Sequence, residues 1–150
     1  METKEELKVR LRDLFGTQGL AVLATQYTGA PYASLVAYVG TDDLKEIFFA
    51  TPRTTRKYRN MAADPRVALL INSSRNKPSD FHEAIAVTVT GIAEDVQSPV
   101  PDPVLKRYLG RHPYLKDFIE APSTALMRVR VDCYYMVKNF QKVMELRIDQ

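Results

Sequence analysis

The chain has 150 residues, of which 45% are hydrophobic and 26% are charged, and these values are typical of one soluble globular domain. Its single cysteine, Cys133, excludes an intramolecular disulfide, and no apolar run approaches the roughly 20 residues of a membrane-spanning helix. The polar, acidic start of the chain is unlike a secretory signal. We therefore expect a single domain over residues 1–150, located in the cytoplasm, with no membrane partner.

The net charge of +3 is distributed unevenly along the chain. Between residues 51 and 77 there are seven basic residues and one acidic residue, whereas the rest of the chain has an acidic excess. A local excess of this kind indicates that an anionic partner binds at one place. The charge alone leaves three such partners open: a phosphate group, a nucleic acid or an acidic protein.

The first third of the chain predicts a helix followed by antiparallel strands. Thr3 and Glu6 have the spacing of a capping box, and apolar residues then recur at helical intervals up to about Gly16. Short β-rich runs joined by turns follow, and they predict a three-stranded meander. Its strands are expected at residues 20–25, 32–39 and 46–51.

A short helix and a further set of strands are expected in the remainder. Thr54 or Thr55 can cap a helix that ends at Ala63, because Asp64 precedes a proline. Residues 73–80 form a polar loop, and helical segments are expected over residues 104–118. The strands are expected at residues 67–71, 84–94, 125–131, 134–139 and 143–148. The first of these is almost wholly apolar, which predicts burial on both of its faces.

The order of these elements predicts the fold class. Hairpin-linked strands at short spacing favour a closed or partly closed antiparallel barrel of six or more strands, with flanking helices. The regular strand–helix alternation of a doubly wound α/β fold is missing. We therefore expect a mainly β protein.

Common catalytic motifs are absent from the sequence. It has no phosphate-binding glycine loop, Cys-x-x-Cys, His-Glu-x-x-His or Gly-x-Ser-x-Gly, and its two histidines are too few for a histidine-rich metal site. His82 is interpreted as a surface residue or an acid–base group, His112 as the C-terminal residue of a helix, and Cys133 as a small buried side chain. These absences leave chemistry carried by a cofactor, or simple binding.

The segment 51–57, Thr-Pro-Arg-Thr-Thr-Arg-Lys, is the most informative stretch. A strand ends at Thr51, and a helix then begins with hydroxyl residues at its cap and with Arg56 and Lys57 in its first turn. Free N–H groups at a helix N-terminus favour an anion, whereas cations there oppose the helix dipole. A counter-anion would resolve that conflict, so the segment predicts an anion-binding site. A solvated basic face and nucleic acid binding are the alternatives.

The order of the motifs resembles the FMN-binding split barrel of the pyridoxamine 5′-phosphate oxidase superfamily. The resemblance is carried by Leu23-Ala24-Thr25, Gly29-x-Pro31, Ser34-Leu35-Val36, Phe48-Phe49-Ala50-Thr51, Thr55-Arg56-Lys57 and the strand that begins after Asp64-Pro65. It covers residues 20–96 well and the tail in outline. It implies a homodimer that holds two flavins at its interface.

The resemblance also implies which residues hold the flavin. Thr55, Arg56 and Lys57 would bind its phosphate. The other implied contacts are Ser34, Leu35 and Val36 on the second strand, Ala50 and Thr51 at the end of the third, and Asn72 and Arg75 in the polar loop. Three tail residues would either cover the flavin from the partner subunit or pack the final strands, namely Lys138, Phe140 and Gln141.

The chain departs from the vitamin B6 oxidase that names the superfamily, because its C-terminal residues lack an Arg-x-His-x-Arg motif and it has no tryptophan. It also lacks the heme-ligating histidine and the deazaflavin segment of other relatives. We therefore expect an FMN-dependent oxidoreductase that acts on a small molecule or accepts electrons from a nicotinamide donor. The alternative is a non-catalytic module that binds or senses a flavin or another phosphorylated ligand.

Overall fold

The computed structural model describes residues 2–139 and 142–150. Within these residues, seven strands form one antiparallel sheet: β1 Leu20–Tyr27, β2 Ala30–Gly40, β3 Glu46–Pro52, β4 Arg66–Asn72, β5 Ile85–Val96, β6 Thr124–Lys138 and β7 Lys142–Arg147. The helices are α1 Lys4–Thr17, α2 Arg56–Ala63, α3 Asp80–Glu83, α4 Asp102–Arg111 and α5 Lys116–Glu120, with a 3-10 turn at Pro113–Leu115. Across the described ranges, no helix has the length and apolarity that would let it cross a membrane.

Six of the strands close into a barrel. Neighbouring strands follow the order β3-β2-β1-β4-β5-β6, and β3 also pairs with β6, so the two ends of this order meet. β7 pairs with the C-terminal part of β6 and lies outside the closed barrel. The structure thus confirms the predicted mainly β antiparallel barrel with flanking helices.

The barrel interior is filled by alternate residues of the strands. Leu23, Leu69, Val89 and Tyr134 are each no more than 1% exposed, and the leucines of α1 join the same cluster. Burying one such side chain stabilises a fold by about 1.5–3 kcal/mol. This core holds the strand ends in fixed positions around the site.

A second apolar cluster lies outside the barrel, where α4 and α5 pack against β3 and β6. It includes Phe48 and Leu126 from the strands and Tyr108 and Ile119 from the helices. β3 and the first part of β6, residues 124–127, are therefore covered on both faces. The prediction that residues 67–71 are buried on both faces was wrong: β4 alternates, and Leu70 is 40% exposed. Its outer face is apolar, but no helix within residues 2–139 and 142–150 covers it.

The tail contains one long strand where the sequence predicted two. β6 has 15 residues, and the break expected near Asp132 is a β-bulge. Thr90 of β5 pairs with Cys133 and the next residue, Gly91, pairs with Val131, so Asp132 is the extra residue. In the sequence, a polar residue that interrupts an apolar run predicts a turn, but a bulge accommodates such a residue without ending the strand.

The predicted helix caps are present. Thr3 Oγ1 accepts a hydrogen bond from the N–H of Glu6, and the carboxylate of Glu6 accepts one from the N–H of Thr3. Of the two candidate caps of α2, it is Thr55 that accepts the N–H of Tyr58, at 3.3 Å. α3 was not predicted, and it begins at Asp80, the last residue of the expected polar loop.

Candidate functional site

The barrel is split between β2 and β3. These strands pair only at Tyr38–Phe49, Val39–Phe48 and Gly40–Ile47. Beyond that point β3 continues alongside β6, whereas residues 30–37 of β2 pair with β1 alone. The split therefore has residues 34–36 on one side and Ala50 and Thr51 on the other. These are the two strand segments at which the sequence predicted the flavin ring.

The three predicted residues of β2 point to two different faces. Val36 is 4% exposed and belongs to the barrel core, whereas Leu35 is 63% exposed on the outer face. Ser34 lies on the same face as Val36, and its Oγ is buried with no hydrogen-bond partner among the residues described. The side chain of Leu35 and the unpaired backbone edge are thus the parts of this segment that face outward.

The start of α2 is tied to the end of β3 by two threonines. Thr51 Oγ1 and Thr55 Oγ1 lie 2.8 Å apart, and both hydroxyls also reach the carbonyl oxygen of Pro52, at 3.2 and 3.0 Å. Thr51 is fully buried, so it positions Thr55 rather than facing a ligand. Ala50 is 9% exposed and lies beneath the outer helices.

The first turn of α2 contains cations and no acidic residue. The guanidinium of Arg56 lies 5.4 Å from the ring centroid of Tyr32, and that of Arg59 lies 5.2 Å from Tyr27. Neither Arg56 nor Lys57 forms an ion pair with any residue that the structure describes. The first two N–H groups of a helix also have no partner within the helix. This helix start can therefore bind an anion.

A cleft of about 580 Å³ opens at this helix start. Thr55, Arg56 and Arg59 border it, and so does Arg53. Lys57 is half-buried and lies outside its lining. The predicted phosphate residues are therefore adjacent, with Arg56 facing the cleft and Lys57 at the neighbouring helix position.

Not every cation of the basic segment is available for an anion. Arg53 bonds to Asp95 at 3.3 Å and to the carbonyl oxygen of Pro122 at 3.0 Å. Arg66 bonds to Asp64 at 2.6 Å. The basic residues of this segment therefore do not all serve one anion site, because Arg53 and Arg66 neutralise acidic residues of the same chain.

Asn72 and Arg75 lie at the other end of the barrel. β4 begins next to α2, runs the length of the barrel and ends at Asn72, so this residue and the loop after it are remote from Thr55. Asn72 Oδ1 accepts the N–H of Ser74 at 3.0 Å, and Arg75 is exposed. Within one chain, the structure does not bring these two predicted residues together with the start of α2.

The predicted tail contacts are only partly described. Lys138 lies at the end of β6, where its Nζ is 3.9 Å from a carboxylate oxygen of Glu2. Phe140 and Gln141 lie outside the described residues. In this chain Lys138 links the N-terminal segment to the last hairpin.

Two contacts near the split were not found from the sequence. The hydroxyl of Tyr108 in α4 donates to the carbonyl oxygen of Ala37 at 3.1 Å, so it lies where the pairing of β2 with β3 ends. Burial raises the pKa of Tyr108 to about 12. The hydroxyl of Tyr58 donates to Asp95 at 2.9 Å, and this hydrogen bond raises the pKa of Tyr58. Their partners are far apart in sequence, so no local pattern indicates them.

The histidines and the cysteine differ in exposure. His112 is 3% exposed, and its Nε2 lies 2.8 Å from the carbonyl oxygen of Tyr38. His82 is exposed on α3. Cys133 is fully buried in β6, as predicted.

The family model described as pyridoxamine 5′-phosphate oxidase matches residues 7–138. The chain belongs to the pyridoxamine 5′-phosphate oxidase family. No curated protein matches its sequence. The family match spans the split, the start of α2 and the polar loop.

The solved structures with the same fold belong to proteins with different descriptions. A protein of unknown function from Agrobacterium tumefaciens is 25% identical, with a TM-score of 0.76 over 89% of this chain and 57% of that chain. A heme binding protein from Mycobacterium smegmatis is 21% identical, with a TM-score of 0.79 over 97% and 60%. General stress protein 26 from Bacillus anthracis is 19% identical, with a TM-score of 0.69 over 95% and 98%. The chain thus spans well under two thirds of the first two proteins.

Proposed function

We propose that this chain binds FMN at the split and uses it for oxidoreduction, with the phosphate at the start of α2. The observation that carries the proposal is the Thr55 cap followed by Arg56 and Lys57, two cations with no ion-pair partner in the described part of the chain. They oppose the helix dipole. A phosphate monoester carries a charge of about −1.5 to −2 near neutral pH, and two cations match that charge.

The residues present fit this ligand. The N–H groups of the first turn of α2 and the guanidinium of Arg56 offer donors that suit phosphate oxygens. The exposed side chain of Leu35 and the unpaired edge of β2 offer a flat surface beside them. When bound, the flavin itself supplies the hydride or electron chemistry. The protein then needs to hold the phosphate, orient the ring and exclude water, which agrees with the absence of a catalytic motif.

The proposal includes a homodimer. Leu20, Leu35 and Leu70 are 53%, 63% and 40% exposed on the outer face of β1, β2 and β4. Val22 pairs with both Leu35 and Leu70, so the apolar residues form a continuous row across three strands. An uncovered apolar sheet face of this kind is typical of an interface. A second copy of the chain would cover it.

Two-fold symmetry would complete the site. A two-fold axis that lies in the plane of this interface and perpendicular to the strands turns the strands end for end, so each end of one barrel would meet the opposite end of the other. The start of α2 in one protomer would then lie near Asn72 and Arg75 of the second copy. This arrangement explains how residues at opposite ends of one chain can contact a single flavin.

The visible absorption spectrum tests the proposal. Protein reconstituted with FMN and freed of excess ligand should have flavin bands with one FMN per chain, and a nicotinamide donor or a substrate should bleach them. Failure to bind FMN contradicts the proposal. Binding without reduction by any donor favours the non-catalytic flavin or phospho-ligand module.

Heme is the second candidate ligand, because one similar structure is a heme binding protein. With His112 buried against Tyr38, His82 is the exposed histidine of the chain. Heme bound through it would give a Soret band that His82→Ala removes. FMN binding with no Soret band after hemin addition would exclude this candidate.

A further inference from the structure

The split begins at one alanine of each strand. Tyr38 and Phe49 form the last paired position of β2 and β3 before the split, so Ala37 and Ala50 are the residues at which the strands separate. Tyr108 lies at this point, because its hydroxyl donates to the carbonyl oxygen of Ala37 at 3.1 Å. Burial raises the pKa of Tyr108, and a hydrogen bond from the backbone of Ala50 opposes that rise. One hydroxyl group therefore contacts both strands where they part.

The ring of Tyr108 is held in place by the apolar cluster beneath the outer helices. It is 1% exposed and lies in the same cluster as Phe48 and Leu126. His112, which directly follows α4, is also buried, and its Nε2 lies 2.8 Å from the carbonyl oxygen of Tyr38. A carbonyl oxygen can only accept, so this nitrogen carries the proton and donates. The end of α4 thus bonds to two successive carbonyl groups of β2, and neither ring can turn away without the loss of a buried hydrogen bond.

We infer that Tyr108 is a positioning residue of the flavin site, because it fixes the point at which β2 and β3 separate. The residues expected to contact the flavin ring lie directly beyond this point, at 34–36 on β2 and at Ala50 and Thr51 on β3. Tyr108 is too buried to contact a ligand, so it acts through the two strands. The assignment to the flavin site rests on the proposed function, whereas the contact with the strands can be measured in ligand-free protein.

Amide hydrogen exchange of the ligand-free protein tests whether Tyr108 holds the strands. Tyr108→Phe removes the hydroxyl and keeps the ring, so β2 and β3 should fray at the split. The N–H of Ala50 should then exchange about two- to tenfold faster, the fold-change that corresponds to one hydrogen bond. The amides of Leu69 and Val89, which pair with each other in β4 and β5 away from the split, should change less, because the fraying is local.

Tyr134→Phe is the matched control. Tyr134 is also 1% exposed, and its hydroxyl donates to the carbonyl oxygen of Leu44 at 2.8 Å, in the turn between β2 and β3. This variant loses a comparable buried hydrogen bond at the far end of the β2–β3 pairing. It should therefore lower the overall stability about as much as Tyr108→Phe does, without a selective effect on Ala50.

Titration with FMN and with riboflavin tests the connection to the flavin site. A shift of the strands affects the ring system, which both ligands share. Tyr108→Phe should therefore weaken both ligands by the same factor, about two- to tenfold, and Tyr134→Phe should change each affinity by less than twofold. A loss confined to FMN would place the effect at the phosphate and overturn the inference.

The exchange data decide the inference separately from flavin binding. Equal acceleration at Ala50 and Leu69 in Tyr108→Phe, or the same pattern in Tyr134→Phe, would overturn it. If Tyr108→Phe does not fold, His112→Phe removes the neighbouring hydrogen bond to β2 and should likewise accelerate exchange at Ala50 more than at Leu69. A parent protein that binds neither flavin would refute the proposed function, whereas exchange at Ala50 would still decide whether Tyr108 holds the strands.

Discussion

The side-chain hydroxyls of Thr51 and Thr55 lie 2.8 Å apart and join the end of β3 to the start of α2. Thr51 is fully buried, so its position is set by the barrel core. Thr55 in turn caps the helix that begins with Arg56. The position of the proposed phosphate site relative to the split is therefore fixed by the barrel and not by a flexible loop.

Thr55→Ala should destabilise the protein, because the N–H of Tyr58 and the hydroxyl of Thr51 both lose a partner. The expected loss in the free energy of unfolding is about 1 kcal/mol, measured by urea denaturation. Thr54→Ala is the matched control, since Thr54 is exposed and surface changes usually stay within about 0.5 kcal/mol. Equal losses in both variants would show that Thr55 is not the cap.

Arg53→Ala should also destabilise the protein, for a different reason. Arg53 joins Asp95 to the carbonyl oxygen of Pro122, and its removal takes the guanidinium donor from both acceptors and leaves Asp95 with the hydroxyl of Tyr58. We expect a loss of about 1–3 kcal/mol in the free energy of unfolding. Arg56→Ala, in the same ligand-free protein, should change it by less than about 0.5 kcal/mol. The opposite ranking would mean that Arg56 is the structural arginine.

Stability should fall in acid partly through Asp64. Hydrogen bonds from Arg66 lower the pKa of Asp64 from its ordinary 3.8 to about 2. A lowered pKa in the folded state means that the stabilisation is complete above about pH 4 and is lost as the pH falls toward 2. The free energy of unfolding of Asp64→Asn should therefore depend less on pH in that window. Asp149→Asn, at an exposed position near the end of the chain, should keep the dependence of the parent protein; an unchanged profile in Asp64→Asn would contradict this assignment.

The uncovered sheet face predicts a dimer that a single charge can break. Light scattering should give the parent protein twice the chain mass of 17.0 kDa. Leu35→Arg places an unpaired charge in the middle of the face and should give the mass of one chain. Val9→Arg is the control, because Val9 is 54% exposed on α1, away from that face. A monomeric parent protein, or a dimer that survives Leu35→Arg, would refute the proposed interface.

Features encoded within a few residues could be predicted from the sequence. The capping box of Thr3 and Glu6, the cap of α2 and its end at Asp64 depend on neighbours in the chain, and all three are present. The hairpin order of the strands also follows from short turns. These local signals were enough for the barrel and for the position of the predicted phosphate residues beside the split.

Contacts between distant residues could not be predicted in this way. Arg53 and Asp95 are 42 positions apart, and Tyr108 and Ala37 are 71 apart. Nothing near Arg53 in the sequence indicates that it bonds to Asp95, so it was counted in the charge excess with Arg56, although only Arg56 and Lys57 were assigned to the phosphate. Likewise, the apolar run of β4 predicts that both of its faces are buried. It does not indicate that the outer face, at Leu70, is left uncovered by the described residues of the same chain.

The most direct test of phosphate recognition compares FMN with riboflavin, which differs by the phosphate alone. Titration of each ligand into the parent protein, Arg56→Ala, Lys57→Ala and the control Lys106→Ala gives the four pairs of dissociation constants. Charge-assisted hydrogen bonds contribute about 1.5–3 kcal/mol each, so each of the first two variants should weaken FMN binding by about tenfold or more. Riboflavin binding should stay within about twofold, and Lys106→Ala should change neither. Equal losses for both ligands would contradict the assignment of the phosphate to the start of α2.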